Sequence, residues 1–387
     1  MKRLLICIIV LLVGLTACDN REHTPIPSVS IASLGTPSVN EIWFVTTDGK
    51  DLLEIDQDAF DAEITDIIYS EYDKCVIRFA SKITAIEAEA FYGCHNLFNI
   101  ALPHSVQTIG ERAFYDCKNM ECISFGNAMR SCKSSAFDGC YNLHSLHIPS
   151  VKDWCDISFE SKTANPLYFA QGFLVNNAKV SNLEIPESIT QIYPYAFYGD
   201  SQLRSVKFPA SIERIGANAF GECENITKVE IVDLPKWCAI EFGDESSNPL
   251  STTGVLYVEG AVASAVELIE VEKISAYAFT NCVSITSFTA DEALQSVGDN
   301  AFRNCSKLAS VTLGSGVQSI GKQAFMNCGA LISVTCNATE PPMLGNKYTF
   351  DYNAKERKFY VPSEAIEAYK ANEHWAKYAD VIEQIEN

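Results

Sequence analysis

The side chains of this 387-residue chain that could do chemistry are above all its cysteines, 15 of them against six histidines. Seven of the 15, Cys94, Cys117, Cys140, Cys223, Cys282, Cys305 and Cys328, each follow a phenylalanine by three residues. A cysteine tied to one place in a recurring pattern behaves as a small buried hydrophobe. A ladder of free thiols is therefore expected rather than a disulfide framework, because bridging needs a geometry that parallel stacking seldom meets. Cys132 and Cys336 fall where other units carry Ile and Leu, which fits the same reading. No CxxC pair or His/Cys cluster with zinc spacing occurs in the sequence. Nor is there a GxSxG elbow, a GxGxxG or a P-loop. His144 and His147 lie three apart on an expected strand and so point to opposite faces. Asp56, Asp58, Asp61 and Glu63 crowd one stretch but lack the glycine of an EF-hand loop, and read as a solvated acidic turn. These residues imply no enzyme, no metal and no cofactor.

The charge narrows the partners. A net charge of −20 argues against nucleic acid, which needs Lys and Arg to neutralise phosphates. No motif points to a small-molecule ligand. Lys2 and Arg3 precede an apolar run from Leu4 to Leu15, too short to span a bilayer comfortably and suited to a secretory signal. The run ends in Leu15-Thr16-Ala17-Cys18, which resembles the bacterial lipobox. That resemblance implies a signal peptide over residues 1–17, with Cys18 as the lipid-bearing first mature residue. Loss of Lys2 and Arg3 then takes the net charge from −20 to −22. Residues 18–40, rich in Pro, Ser, Thr and Asn without apolar periodicity, read as a flexible tether.

The cysteines are positioned by a repeat. Ala-Phe pairs recur at Phe91, Phe114, Phe137, Phe197, Phe220, Phe279, Phe302 and Phe325, with steps of 23, 23, 60, 23, 59, 23 and 23 residues. Asp200 alone breaks the cysteine series. Alternating runs such as Ile100-Ala101-Leu102-Pro103 and Val206-Lys207-Phe208-Pro209 supply short strands ended by proline. Ile109-Gly110, Ile215-Gly216, Val297-Gly298 and Ile320-Gly321 lead back to Ala-Phe, the glycine expected to permit a turn. One unit cannot bury its apolar side chains alone, so units must stack, with Phe inside and strands in a parallel sheet.

Leu102-Pro103-His104-Ser105-Val106-Gln107-Thr108-Ile109-Gly110-Glu111-Arg112-Ala113-Phe114 is similar almost residue for residue to the unit of the BspA-type leucine-rich repeat family. The resemblance covers roughly residues 80–340. It implies an α/β repeat fold, a right-handed leucine-rich-repeat solenoid, on a secreted or surface protein of anaerobic host-associated bacteria. An anaerobic habitat would reconcile exported protein with free thiols. Adhesion, seen in some members, is the function that the resemblance suggests.

The expected organisation is a tether to residue 40, an N-terminal β cap over 41–80, the solenoid over 81–340 and a helical cap over 341–387. In that last segment Ser363 is expected to cap a helix from Glu364 to Lys370. Two long coils, about 146–186 and 229–270, carry the same insertion: Trp154-Cys155 with Asn165-Pro166-Leu167, and Trp237-Cys238 with Asn248-Pro249-Leu250, 83 residues apart. Each is followed by an expected hairpin, turning at Asn176-Asn177 and at Glu259-Gly260. If Ile100 and Leu102 face inward, Asn99, Ala101, Cys122 and Ser124 face out, on a sheet surface of small polar groups. Loops on a rigid scaffold are where binding concentrates, so Trp154, Trp237, Asn176, Asn177, Glu259 and Gly260 are the candidate binding residues. Tyr92, Tyr115, Tyr141 and Tyr198 form a second candidate patch. Two functions follow: a membrane-anchored envelope lipoprotein that binds a host matrix or envelope protein, displayed at the outer membrane or cell surface, or an accessory lipoprotein that scaffolds another envelope protein.

Overall fold

The computed structural model describes residues 35–50, 52, 55–70 and 74–386. Each 23-residue coil contributes two strands, one to each of two parallel faces. The longer strands Leu97–Ala101, Cys122–Ser124 and Ser145–Ile148 lie side by side in register, Asn99 on Cys122 and Cys122 on Ser145. The two-residue strands Ala85–Ile86, Thr108–Ile109 and Ser131–Cys132 pair likewise on the second face. Coils therefore repeat at the strand spacing of about 4.8 Å, and every buried side chain meets its own counterpart one coil away.

The Phe rings obey that spacing. Phe91 and Phe114 stack at 5.0 Å and 4°, Phe114 and Phe137 at 5.2 Å and 6°, Phe302 and Phe325 at 5.1 Å and 8°. Each such ring, fully buried, contributes roughly 1.5–3 kcal/mol of transfer free energy. Beside the rings runs the thiol ladder. The Sγ atoms of Cys117, Cys140, Cys223, Cys305 and Cys328 each donate to the Phe carbonyl of the preceding coil at 3.0–3.1 Å. All thirteen described cysteines are free and buried.

The glycine before Ala-Phe plays a different part from the turn expected of it. A Cβ on Gly110, Gly216, Gly298 or Gly321 would lie 2.4 Å from a backbone nitrogen of the preceding coil. What the position requires is close approach. The left-handed φ values occur two residues before and two after each Phe, mostly without glycine, as at Arg112 and Asp116 (φ 56° and 60°) or Asn300 and Asn304 (56° and 63°). Asparagine tolerates that region. It also adds a side-chain ladder, Asn327 donating to Asn304 at 2.8 Å and Asn304 to Asn281 at 2.7 Å.

The repeat runs further than its Ala-Phe signature. Phe350, in Thr349-Phe350, stacks on Phe325 at 5.3 Å and 2°. Three residues on, Asn353 donates to the Phe325 carbonyl at 2.8 Å, in the manner of a cysteine. At the other end Phe60 meets Phe91 edge-on at 5.7 Å. Asp61, one of the crowded acids, accepts from the Thr84 amide at 3.0 Å.

At the N-terminal end strand Glu41–Thr46 lies antiparallel to Leu97–Ala101 and to Cys75–Phe79. Here the outward sheet face is covered, contrary to expectation. Asn99, Ala101 and Cys122 are buried, the latter two in a small second cluster with Val45 and Phe98 that packs against Trp43. At the C-terminal end Tyr369, Trp375 and Tyr378 are buried around Phe350 and Phe359. Ser363 caps no helix, because a 3₁₀ turn Ser363–Ala365 precedes helix Ile366–Ala371. The last element on the sheet is not that helix but strand Ile382–Gln384, parallel to Lys358–Val361.

Two predictions follow from these layers. Gly298→Ala should destabilise by about 1–3 kcal/mol, because backbone cannot step aside for the new Cβ. Gly329→Ala, with nothing within 4 Å, should be neutral to within about 0.5 kcal/mol; urea midpoints of the pair measure the contrast. Asp200 occupies the cysteine place, its Oδ1 accepting from Gln202 and Leu203 amides at 2.8 and 3.2 Å while buried Oδ2 has no partner among the described residues. Burial pushes its pKa up to about 7. The folded state then keeps a proton that the unfolded chain releases near pH 3.8. This stabilisation is complete below that pH, declines as pH rises and is gone above about pH 7. Asp200→Cys should accordingly melt several degrees above the parent at pH 8, with the gap closing toward pH 4 in calorimetry.

Candidate binding surfaces

Both long coils are built on one buried frame. Helix Val151–Cys155 is capped by Ser150, which accepts from Asp153 N, and helix Leu234–Ala239 by Asp233, which accepts from Lys236 N. Each presents its Trp inward. Trp154 is 1% exposed and donates Nε1 to the Ala196 carbonyl at 2.8 Å; Trp237 is 2% exposed and donates to the Ala278 carbonyl at 2.8 Å. The asparagines of Asn-Pro-Leu repeat the symmetry, Asn165 donating to Tyr195 and Ala196 carbonyls and Asn248 to those of Tyr277 and Ala278. Trp154 and Trp237 are thus corrected as binding residues, since neither offers a surface to a partner. The reason is steric. Phe137 N bonds to Thr163 as Phe114 N bonds to Ala136, so Ala164 stands where a Phe would, and the indole takes up the vacated room.

The hairpin tips are where the sequence puts them. Strands Leu174–Val175 and Ala178–Lys179 are joined by Asn176-Asn177, with φ of 52° and 63°. Strands Leu256–Val258 and Ala261–Val262 are joined by Glu259-Gly260, with φ of 49° and 84°. Two positive φ values in a two-residue loop match the right-handed twist of the flanking strands. All four tip residues are exposed. Each hairpin also ends a run of ladder hydrogen bonds, so the long-strand face is divided into sheets of eight, five and six strands. Under the first tip, burial holds the His147 imidazole below its usual pKa while an Asn177 hydrogen bond opposes the shift. In the middle sheet the outward face carries a charged group: Glu230 pairs with Lys228 at 2.6 Å and Lys207 at 3.8 Å, and Lys228 lies 4.7 Å from the Tyr257 ring.

The tyrosine corner separates into two parts. Tyr92 and Tyr115 stack on each other at 5.2 Å, with the Arg112 guanidinium 4.7 and 4.8 Å from their rings. Tyr198 is buried and donates to Glu222. Tyr141, 73% exposed, instead meets Phe169 and, with Tyr168, lines an open groove that sequence reasoning passed over. A position-by-position comparison of the two long coils carries the missing signal, because Tyr168-Phe169 of the first is Ser251-Thr252 in the second. Cys18 and the leader lie outside the described residues. Among the described residues no helix is long and apolar enough to cross a membrane.

This geometry has known relatives. The family model of the BspA type leucine rich repeat region matches residues 62–173, 170–238 and 272–372, in six copies. Among solved structures, a leucine-rich repeat protein from Bacteroides ovatus is 19% identical, over 83% of this chain and 90% of that one, with a TM-score of 0.37. A leucine rich cell surface protein from Faecalibacterium prausnitzii is 18% identical, over 79% and 83%, with a TM-score of 0.40. The pneumococcal vaccine antigen PcpA is 15% identical, over 79% and 70%, with a TM-score of 0.37. No curated protein matches the chain. Stacked Phe rings, thiol ladder and paired parallel faces are the structural expression of the repeat that the family model describes, and the chain belongs to the BspA type leucine rich repeat family.

Proposed function

We propose that this chain is a lipid-anchored protein of the bacterial cell envelope whose solenoid binds another protein and performs no catalysis. The observation that carries the reading is the pair of exposed hairpin tips, Asn176-Asn177 and Glu259-Gly260, built on identical buried frames 83 residues apart. Two equivalent projections on one rigid support suit a bivalent contact, in which the second engagement is intramolecular and adds avidity without new chemistry. Membership of the leucine-rich repeat family and the pneumococcal surface-antigen likeness support a protein partner. The lipobox-like Leu15-Thr16-Ala17-Cys18 supports the anchor, and the partner is placed on the host matrix or the neighbouring envelope.

The anchor and the contact are tested together. Cys18→Ser should abolish incorporation of labelled palmitate and release the protein from the membrane fraction. Asn176→Lys with Glu259→Lys, both tolerant of their turn φ, should lower retention of whole cells on immobilised matrix proteins roughly tenfold in avidity. Unchanged retention in the double variant sinks the hairpins as the contact. Protection from added protease in whole cells sinks surface display, and a pull-down that returns only envelope proteins assigns the chain to scaffolding instead.

A further inference from the structure

We propose that the groove at the corner of the first long coil is a binding site for a neutral glycan, separate from the hairpin contact. The two long coils act as an internal control. They share the Trp, the Asn-Pro-Leu frame and every hydrogen bond that ties the frame to the next coil. Where the first copy has Tyr141, Tyr168 and Phe169, the second has Glu224, Ser251 and Thr252. The fold therefore does not need these three aromatic rings, and folds the same corner without them. Large apolar side chains kept at the surface where the architecture is indifferent mark a contact site.

The groove's polar groups decide what it takes. Asp138, Glu222 and Glu224 supply acceptors, while Lys162 and Gln171 supply donors. Asp138 and Glu224 have no side-chain partner among the described residues. The Lys162 ammonium sits 5.0 Å from the Tyr168 ring and 5.8 Å from Tyr198, which fills the place that an incoming cation would take over those rings. Three carboxylates repel an anionic ligand. What remains is a ligand without charge that offers many hydroxyls as both donors and acceptors, and an apolar face to lay on an aromatic ring. A pyranose meets all three requirements. The exposed Tyr141 ring, edge-on to Phe169 at 6.2 Å and 72°, gives it a platform bounded on one side. In the second copy the corresponding cation is replaced as well: Glu245 stands for Lys162 and pairs with Arg303 at 3.0 Å, so that corner has neither platform nor donor.

Electrophoresis of the full chain through native gels containing soluble starch, mannan, xylan or mixed-linkage β-glucan tests the site. Retardation by at least one polysaccharide is expected, weakened at least tenfold in Tyr141→Ala and in Tyr168→Ser with Phe169→Thr, which imports the residues of the second copy. Both variants should keep the parent melting temperature, and the hairpin variant should migrate as the parent, so that failure here is distinct from failure of the protein-binding reading. The proposal is overturned if none of the four polysaccharides retards the parent, or if both aromatic variants are retarded equally with it. Retention on a lysine-rich peptide column through the same rings, without polysaccharide binding, would also overturn it and assign the groove to a cationic partner.

Discussion

Every layer of this protein is governed by one distance, the separation of about 4.8 Å between neighbouring parallel strands. A side chain kept inside must tolerate its own copy at that distance above and below. Planar Phe rings do so by stacking nearly parallel, thiols by donating along the axis to the preceding carbonyl, and asparagine amides by donating to one another. The same distance leaves no room for a Cβ at Gly110 or Gly298. Each residue type in the repeat is thus the answer to a packing question posed by translation along one axis.

Where a coil departs from the pattern, the departure is compensated locally. The long coils give up Phe for Ala164 or Ser247 and recover the lost volume with Trp154 or Trp237. Phe350 and Asn353 continue ring stack and ladder without the Ala-Phe or Cys of the other coils. Asp200 is the exception. Its Oδ1 satisfies two amides, but the second oxygen is buried unpaired, and a charge there is costly to bury.

What the sequence discloses follows from this economy. Register, strand positions and the eight Ala-Phe coils are legible because each repeats many times, and periodicity is a strong signal. Hairpin tips are legible because Asn-Asn and Glu-Gly have few other backbone roles between alternating runs. The flanking coils at Phe60 and Phe350 were hidden because they keep the packing and change the letters. Burial of Trp154 and Trp237 was hidden because it depends on space left by Ala164 and Ser247, which no local pattern announces. The cover over Asn99 and Cys122 comes from Trp43, far away in sequence and antiparallel to the repeat. The aromatic groove was spread over residues 138–224 and belonged to no single unit.

The division of the long-strand face at both hairpins has a bearing on how such a molecule changes size. Within a run of ladder bonds, loss of a residue shifts all later coils out of step. Between one indole and the next, 83 residues apart, the same frame recurs and the ladder restarts. Recombination at those seams joins like to like, so length is quantised: a descendant gains or sheds whole segments while the chemistry of each remaining corner drifts independently.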